Sequence, residues 1–250
     1  MYGYKITIAY DGSPFGGWQV QPGILSVQGC VQDALGAVLR ERITVVASGR
    51  TDAGVHAVAQ VAHFHTHHPL PDDFLTKSHS LLPKEIRINE IEEVALTFHA
   101  RFGARTKTYG YEIIEGPALS PLERPYKTHV RERLDLPAME EALNYFIGTH
   151  DFTSFANRRG RGDEESGQRT IYTLTLTREP EGRFRRGFRF EITGNGFLYK
   201  MVRNMVSTLL EVGKGRRMPS SVASLLAARN RRLAPPPAPP SGLYLLSVDF

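Results

Sequence analysis

Between an apolar run ending at Ala47 and another starting at Val58, the chain places Ser48-Gly49-Arg50-Thr51-Asp52-Ala53-Gly54-Val55-His56-Ala57. Small residues surround one arginine and one aspartate, so backbone can come close to a bound ligand. A carboxylate in that setting can act as a nucleophile or a general base, and an arginine two residues away can clamp a phosphate. The same pattern also suits a tight turn in which Asp52 accepts hydrogen bonds from nearby N–H groups. A second group is His63, His65, His67 and His68. A strand would put the first three on one face, and imidazole is a common metal ligand, but no cysteine or carboxylate joins them at short spacing. The single cysteine, Cys30, excludes an internal disulfide and any zinc site built on paired cysteines. There is no Walker A loop, no H-E-x-x-H and no dinucleotide-binding glycine pattern.

The elements that must position these residues follow from periodicity. Tyr4, Ile6, Ile8 and Tyr10 alternate with Lys5, Thr7 and Ala9, which predicts a first strand ended by the turn Asp11-Gly12. Ser26 suits the N-cap of a helix with Val27, Cys30, Val31, Ala34, Leu35, Val38 and Leu39 on one face, where Cys30 serves packing. Strands over Ile43–Ala47 and Val58–His65, a helix near Asp72–Leu82 and a strand near Ile86–Val94 complete a β-α-β-β-α-β order. The order repeats with a strand at Lys107–Ile114, a helix at Leu136–Ile147, strands at Ile171–Thr177 and Gly187–Thr193, a helix at Phe197–Val212 and a strand at Leu243–Phe250. Phe197, Met201, Met205 and Leu209 mark the apolar face of the last helix, and Gly213 offers a stop. The expected fold is α+β: two ferredoxin-like halves, residues 1–104 and 105–250, with a mainly antiparallel central sheet. Arg158–Gln168 reads as a loop and Pro235–Pro240 as an extended connector. Arg229, Arg231 and Arg232 beside it are either phosphate contacts or a solvated helix end.

Composition and charge narrow the class of partner. Of 250 residues, 41% are hydrophobic and 23% charged, as in an ordinary globular protein rather than a disordered one. No apolar run reaches the roughly 18 residues of a membrane span, and residues 1–25 lack a signal-peptide pattern, so the expected location is the cytoplasm. Residues 1–100 carry 7 basic and 10 acidic side chains, whereas residues 101–250 carry 24 and 16. Arginine supplies 24 of the 31 basic residues, and it grips phosphate bidentately. A basic second half points to a polyanion, most simply a nucleic acid.

The whole Asp52 segment resembles the signature of the TruA family of tRNA pseudouridine synthases. Other blocks agree in order: Tyr10-Asp11-Gly12 with Phe15, Gly17-Trp18-Gln19 and Gln21; Phe98-His99-Ala100-Arg101-Phe102; and Lys107-Thr108-Tyr109-Gly110-Tyr111. His150-Asp151-Phe152 with Ser154-Phe155, Phe197-Leu198-Tyr199-Lys200-Met201-Val202-Arg203-Asn204 and Gly242-Leu243-Tyr244-Leu245 follow. Lys200 departs from the pattern, standing where Asn or His is frequent.

The resemblance implies that the protein is a cofactor-free isomerase that turns uridine into pseudouridine at positions 38, 39 and 40 of the tRNA anticodon arm. It implies a homodimer, no metal and no membrane. Asp52 falls on the family's catalytic aspartate, acting either covalently or as a base. Arg50 matches the arginine that takes the place of the flipped nucleotide, a simple phosphate clamp being the alternative. Tyr109 matches the tyrosine that stacks on the target base, although Tyr111 shares its strand face and either could be a core residue. Arg203, on the polar side of its helix by periodicity, matches a residue paired with the catalytic aspartate. Leu243 matches an apolar residue beside the active site and would equally suit a core. The resemblance places Asp52, Tyr109 and Arg203 together on a basic cleft. Two other classes remain to be separated: a silent RNA-binding protein of this fold, and a glycosidic-bond hydrolase, which ordinarily needs two opposed carboxylates.

Overall fold

A computed structural model of the chain describes residues 1–157, 166–179 and 185–250. Residues 158–165, most of the expected Arg158–Gln168 loop, lie outside the described residues. The chain divides into two compact units: Met1–Arg105 together with Tyr244–Phe250, and Thr106–Leu243. The protein is mixed α+β, and its strand pairs are mostly antiparallel, with Leu243–Asp249 running parallel to His56–Thr66 and Thr128–Val130 parallel to Thr106–Glu115.

The first unit runs β1 (Tyr2–Tyr10), α1 (Val27–Leu39), β2 (Val46–Ala47), β3 (His56–Thr66), α2 (Phe74–Leu81) and β4 (Ile86–Val94). β1 lies antiparallel between β4 and β3, and β2 pairs with the far edge of β3 at Ala62 and His63. The strand β10 (Leu243–Asp249) joins β3 in parallel, with Tyr244 opposite His56 and Leu245 opposite Ala57. Alternation in β1 buries Tyr4, Ile6, Ile8 and Tyr10. Tyr4 packs on Phe64, which in turn stacks on Phe74 of α2. Ser26 caps α1 by accepting the Gly29 N–H at 3.2 Å, a contact that contributes about 1 kcal/mol. Of the predicted apolar face, Val27, Val31, Ala34 and Leu35 are buried, while Cys30 is half-buried.

The expected strand over Ile43–Ala47 is cut to two residues, and the cause is local. The Val45 N–H donates to Gln32 Oε1 at 3.1 Å, and the Val45 carbonyl accepts from Gln28 Nε2 at 2.9 Å. Side chains of α1 thus take the backbone groups a strand partner would have used.

The second unit comprises β5 (Thr106–Glu115), β6 (Thr128–Val130), α3 (Leu136–Asn144), β7 (Gly148–Asp151), β8 (Gln168–Glu179), β9 (Arg186–Gly194), α4 (Met201–Gly213) and α5 (Ser221–Ala228). Its strands run β7-β8-β9-β5 antiparallel, with β6 parallel to β5. β6, β7 and α5 stand beside the expected β-α-β-β-α-β repeat, and from Tyr244 on its closing strand counts with the first unit. Tyr111, Ile113, Phe188, Phe190 and Ile192 of the strands and Met139, Met201, Met205 and Leu209 of the helices are all buried.

α4 begins four residues later than periodicity predicts. Gly196 at φ 156° and Lys200 at φ 61° break the helical path, so Phe197 packs from an irregular segment ahead of the helix. Gly213 is the last residue of α4 rather than a left-handed stop. A Cβ there would lie 2.4 Å from Met139 Sδ, so the glycine serves the close approach of α3 and α4. The proline connector docks: the Ala238 N–H donates to the Arg203 carbonyl at 3.1 Å, and the Tyr111 hydroxyl donates to the Pro239 carbonyl at 2.8 Å.

Candidate active-site residues

The connection from β2 to β3, residues 48–55, carries Arg50 and Asp52. Its side chains alternate: Ser48 and Thr51 are buried, Arg50 is exposed and Asp52 is half-exposed. Beneath it lies a polar cluster. The Ser48 hydroxyl donates to Gln60 Oε1 at 2.8 Å, and Gln60 Nε2 donates to the Gly49 carbonyl at 2.9 Å and to the Tyr10 hydroxyl at 3.5 Å. Tyr10 Oη lies 2.8 Å from Thr51 Oγ1. Gln60 and Tyr10 are both buried, and burial pushes the Tyr10 phenol up to about 12, so it stays a neutral hydroxyl at physiological pH.

From outside, the segment after β1 straps the same connection. The Trp18 N–H donates to the Thr51 carbonyl at 3.1 Å, and Trp18 is itself buried. Gly17, at φ 102°, comes so close that a Cβ would lie 2.8 Å from the Thr51 carbonyl oxygen. A Cβ on Gly12 would fall 2.0 Å from the Val55 carbonyl oxygen. The end of the connection is fixed by His56, whose Nδ1 accepts the Gly12 N–H at 3.1 Å and whose ring stacks on Tyr244 at 4.8 Å. The result is a braced backbone that carries an exposed guanidinium and a half-exposed carboxylate two positions apart, a pairing that suits nucleophilic or base chemistry beside a held phosphate.

In the second unit, Tyr109 is 8% exposed and meets Phe197 edge-on at 5.1 Å. Tyr111 has no exposed surface, and its hydroxyl lies 2.7 Å from Thr128 Oγ1. Burial pushes its phenol far up. Tyr111 is therefore a core residue with no face open to a base. Arg203 corrects the surface position that periodicity gave it: it is 9% exposed, and its Nε donates to the Ala238 carbonyl at 2.7 Å. Leu243 is buried at the start of β10.

Arg231 is neither a solvated helix end nor an open phosphate contact. It donates to Asn157 Oδ1, Asn204 Oδ1 and the Ala234 and Pro235 carbonyls at 2.8–3.1 Å. Arg229 pairs with Asp151 at 3.1 Å. The histidines are drawn into separate tasks: His63 Nδ1 accepts the Ala100 N–H at 3.2 Å, and His67 Nδ1 lies 2.6 Å from Glu41 Oε2. Among the described residues, no three of His, Cys, Asp and Glu are grouped to hold a metal ion, and no helix is long and apolar enough to cross a membrane. Sequence reasoning missed Gln60, Tyr10 and the glycine strap. The available signal was Gln60 itself, a polar residue at an inward position of the run Ala57–Phe64.

The family model described as tRNA pseudouridine synthase matches residues 6–103 and 142–250, which contain Arg50, Asp52, Arg203 and Leu243. The chain belongs to the tRNA pseudouridine synthase family. Among its relatives, tRNA pseudouridine synthase A 1 of Protochlamydia amoebophila (strain UWE25) is 44% identical over 253 residues, covering 100% of this chain and 97% of the relative. tRNA pseudouridine synthase A of Limosilactobacillus reuteri (strain DSM 20016) is 42% identical, covering 100% and 97%. The enzyme of the same name from Bacillus pumilus (strain SAFR-032) is 43% identical, covering 98% of each chain. In this pseudouridine synthase the match therefore runs through both units.

Proposed function

We propose that the protein isomerises uridine to pseudouridine in tRNA, at positions 38, 39 and 40 of the anticodon arm, with Asp52 as the catalytic residue. The observation that carries this reading is the braced 48–55 connection, which presents Arg50 and Asp52 outward from buried supports in a chain of this family. The reaction breaks the N1–C1′ bond, rotates the uracil and forms a C5–C1′ bond. The C5 hydrogen leaves as a proton and N1 gains one, so substrate and product are isomers. Asp52 acts at the sugar, covalently or as a base. The target nucleotide must leave the stack before its C1′ can be reached, at a cost of a few kcal/mol, and Arg50 fills the vacated place. Tyr109 supplies an aromatic platform, and such stacking contributes about 1–3 kcal/mol per base. Arg203 and Leu243 complete the substrate-binding set. The excess of arginine in residues 101–250 suits the phosphates of the RNA, and affinity falls steeply with salt. The same reading has two ferredoxin-like halves, a homodimer, a cytoplasmic location, and no metal or cofactor.

The test is tritium release from tRNA labelled at uridine C5, comparing wild type with Asp52→Asn. Release by wild type, abolished in a folded variant that still binds tRNA, is the expected result. Binding without release makes the protein a silent RNA binder, and free uracil among the products makes it a hydrolase.

A further inference from the structure

The cluster beneath the 48–55 connection is buried, and it contacts that segment on both sides of Arg50 and immediately before Asp52. From the geometry we infer that Tyr10, Gln60 and Thr51 are positioning residues for this reaction: they form a directed hydrogen-bond chain that sets the backbone from which Arg50 and Asp52 project. The inference rests on the proposed role of Asp52.

The direction of the chain follows from donor and acceptor capacity. Gln60 Oε1 accepts from Ser48, so its amide group faces the other way and its two N–H bonds go to the Gly49 carbonyl and the Tyr10 oxygen. Having accepted that bond, the neutral Tyr10 hydroxyl has its own proton to give, and Thr51 Oγ1 lies 2.8 Å away. Gln60 therefore fixes the connection at Gly49, and Tyr10 fixes it at Thr51. Arg50 is the single residue between the two anchors, and Asp52 is the next one out. Because the Thr51 carbonyl is also held by the Trp18 N–H, the peptide joining Thr51 to Asp52 is pinned from the outside too. A buried polar cluster is justified energetically only where its groups are satisfied. This one links β1 to β3 through Tyr10 and Gln60 and directs its remaining bonds to the Gly49 carbonyl and the Thr51 hydroxyl, on either side of Arg50.

Misplacing a reacting group by about 1 Å can cost on the order of 100-fold in rate. Tyr10→Phe deletes one oxygen, and Thr51→Val deletes the partner hydroxyl at nearly constant shape. Each is measured by single-turnover tritium release with enzyme in excess, by tRNA binding and by thermal unfolding. The expected result is a rate loss of roughly 10- to 100-fold in either variant with tRNA affinity within about twofold of wild type. Thr51→Ser, which restores the hydroxyl, recovers most of the rate. The double variant Tyr10→Phe/Thr51→Val is no slower than the slower single variant, because both remove the same bond. The inference is overturned if folded Tyr10→Phe and Thr51→Val react at the wild-type rate, if their losses lie in tRNA affinity, if they multiply in the double variant, or if Thr51→Ser is as slow as Thr51→Val. An active wild type with inactive Asp52→Asn but unaffected Tyr10→Phe and Thr51→Val sinks this inference alone. An inert wild type sinks the catalytic reading and this inference together.

Discussion

Gly17→Ala and Gly23→Ala provide a matched pair that isolates the close approach of the strap to the 48–55 connection. Both glycines sit at positive φ, 102° and 71°, where a side chain is strained whatever the space around it. A methyl at Gly23 meets nothing within 4 Å. It carries only the conformational cost, about 1–2 kcal/mol. A methyl at Gly17 lies 2.8 Å from the Thr51 carbonyl oxygen, 3.1 Å from the Ala53 nitrogen and 3.1 Å from the Asp52 carbonyl carbon. All three are backbone atoms of the segment that carries Asp52, so relief requires the segment itself to shift. Forcing extra volume into a packed site adds about 1–3 kcal/mol, for a total of roughly 2–5 kcal/mol. At about 2–4 °C per kcal/mol for a chain of this size, Gly23→Ala lowers Tm by roughly 2–8 °C and Gly17→Ala by roughly 4–20 °C. The decisive readout is the rate. Single-turnover tritium release, measured well below both midpoints, falls at least tenfold in Gly17→Ala and stays within about twofold in Gly23→Ala, following the displacement argument. Equal rates in the two folded variants would falsify the claim that strap contact sets the position of Asp52.

Arg231→Lys cannot span four acceptors with one ammonium, and it should cost about 2–4 kcal/mol, seen as a drop in Tm of roughly 4–16 °C, while the salt slope of tRNA binding stays unchanged. A slope reduced by about one with an unaltered Tm would instead make Arg231 a phosphate contact. Burial first, then the neighbouring His99 and His65, lower the His63 pKa below its ordinary value of 6.5. The unfolded chain therefore binds more protons than the folded one once pH falls below 6.5, and His63 subtracts stability progressively from there down through its depressed folded value. His63→Gln flattens the decline in Tm between pH 7.5 and 5.5; an identical decline in variant and wild type removes His63 from the account.

Much of this architecture is legible in sequence because it rests on local alternation. β1 buries Tyr4, Ile6, Ile8 and Tyr10 as period-two patterning predicts, β4 spans the expected Ile86–Val94, and Ser26 caps α1 as its residue type suggests. Where the reading fails, the deciding partner is distant in the chain. β2 is shortened by side chains of α1, and the early start expected of α4 came from counting Phe197, which packs on Tyr109 of β5 without being helical. β6, β7 and α5 carry three, four and eight residues, too few to show a period against their loops. At the candidate site, Arg50 and Asp52 stand out because everything around them is small. Arg203 does not stand out as buried, because the carbonyl that accepts from it belongs to Ala238 in a proline-rich stretch 35 residues on. Nor could spacing separate Tyr109 from Tyr111, since both fall on one strand face; the distinction arises from Thr128 and Pro239 closing over the second hydroxyl.

The parallel pairing of Tyr244 and Leu245 with His56 and Ala57 has a temporal consequence. The strand that braces the exit of the 48–55 connection is translated after the whole second unit. At about 5–20 residues per second, the ribosome needs roughly 7–28 s to move from Arg105 to Tyr244. Through that interval the nascent first unit has β1, β3 and β4 available but an open edge at the start of β3, and His56 lacks the ring it stacks on. The contacts of Phe250 with Phe98 and of the Arg105 N–H with Asp249 are likewise postponed. Closing a loop of this length is slow relative to local pairing. The His56 end of the segment bearing Asp52 is therefore completed after its other supports, Tyr10, Gln60 and Trp18, and gains its stacking partner only once β10 has been delivered.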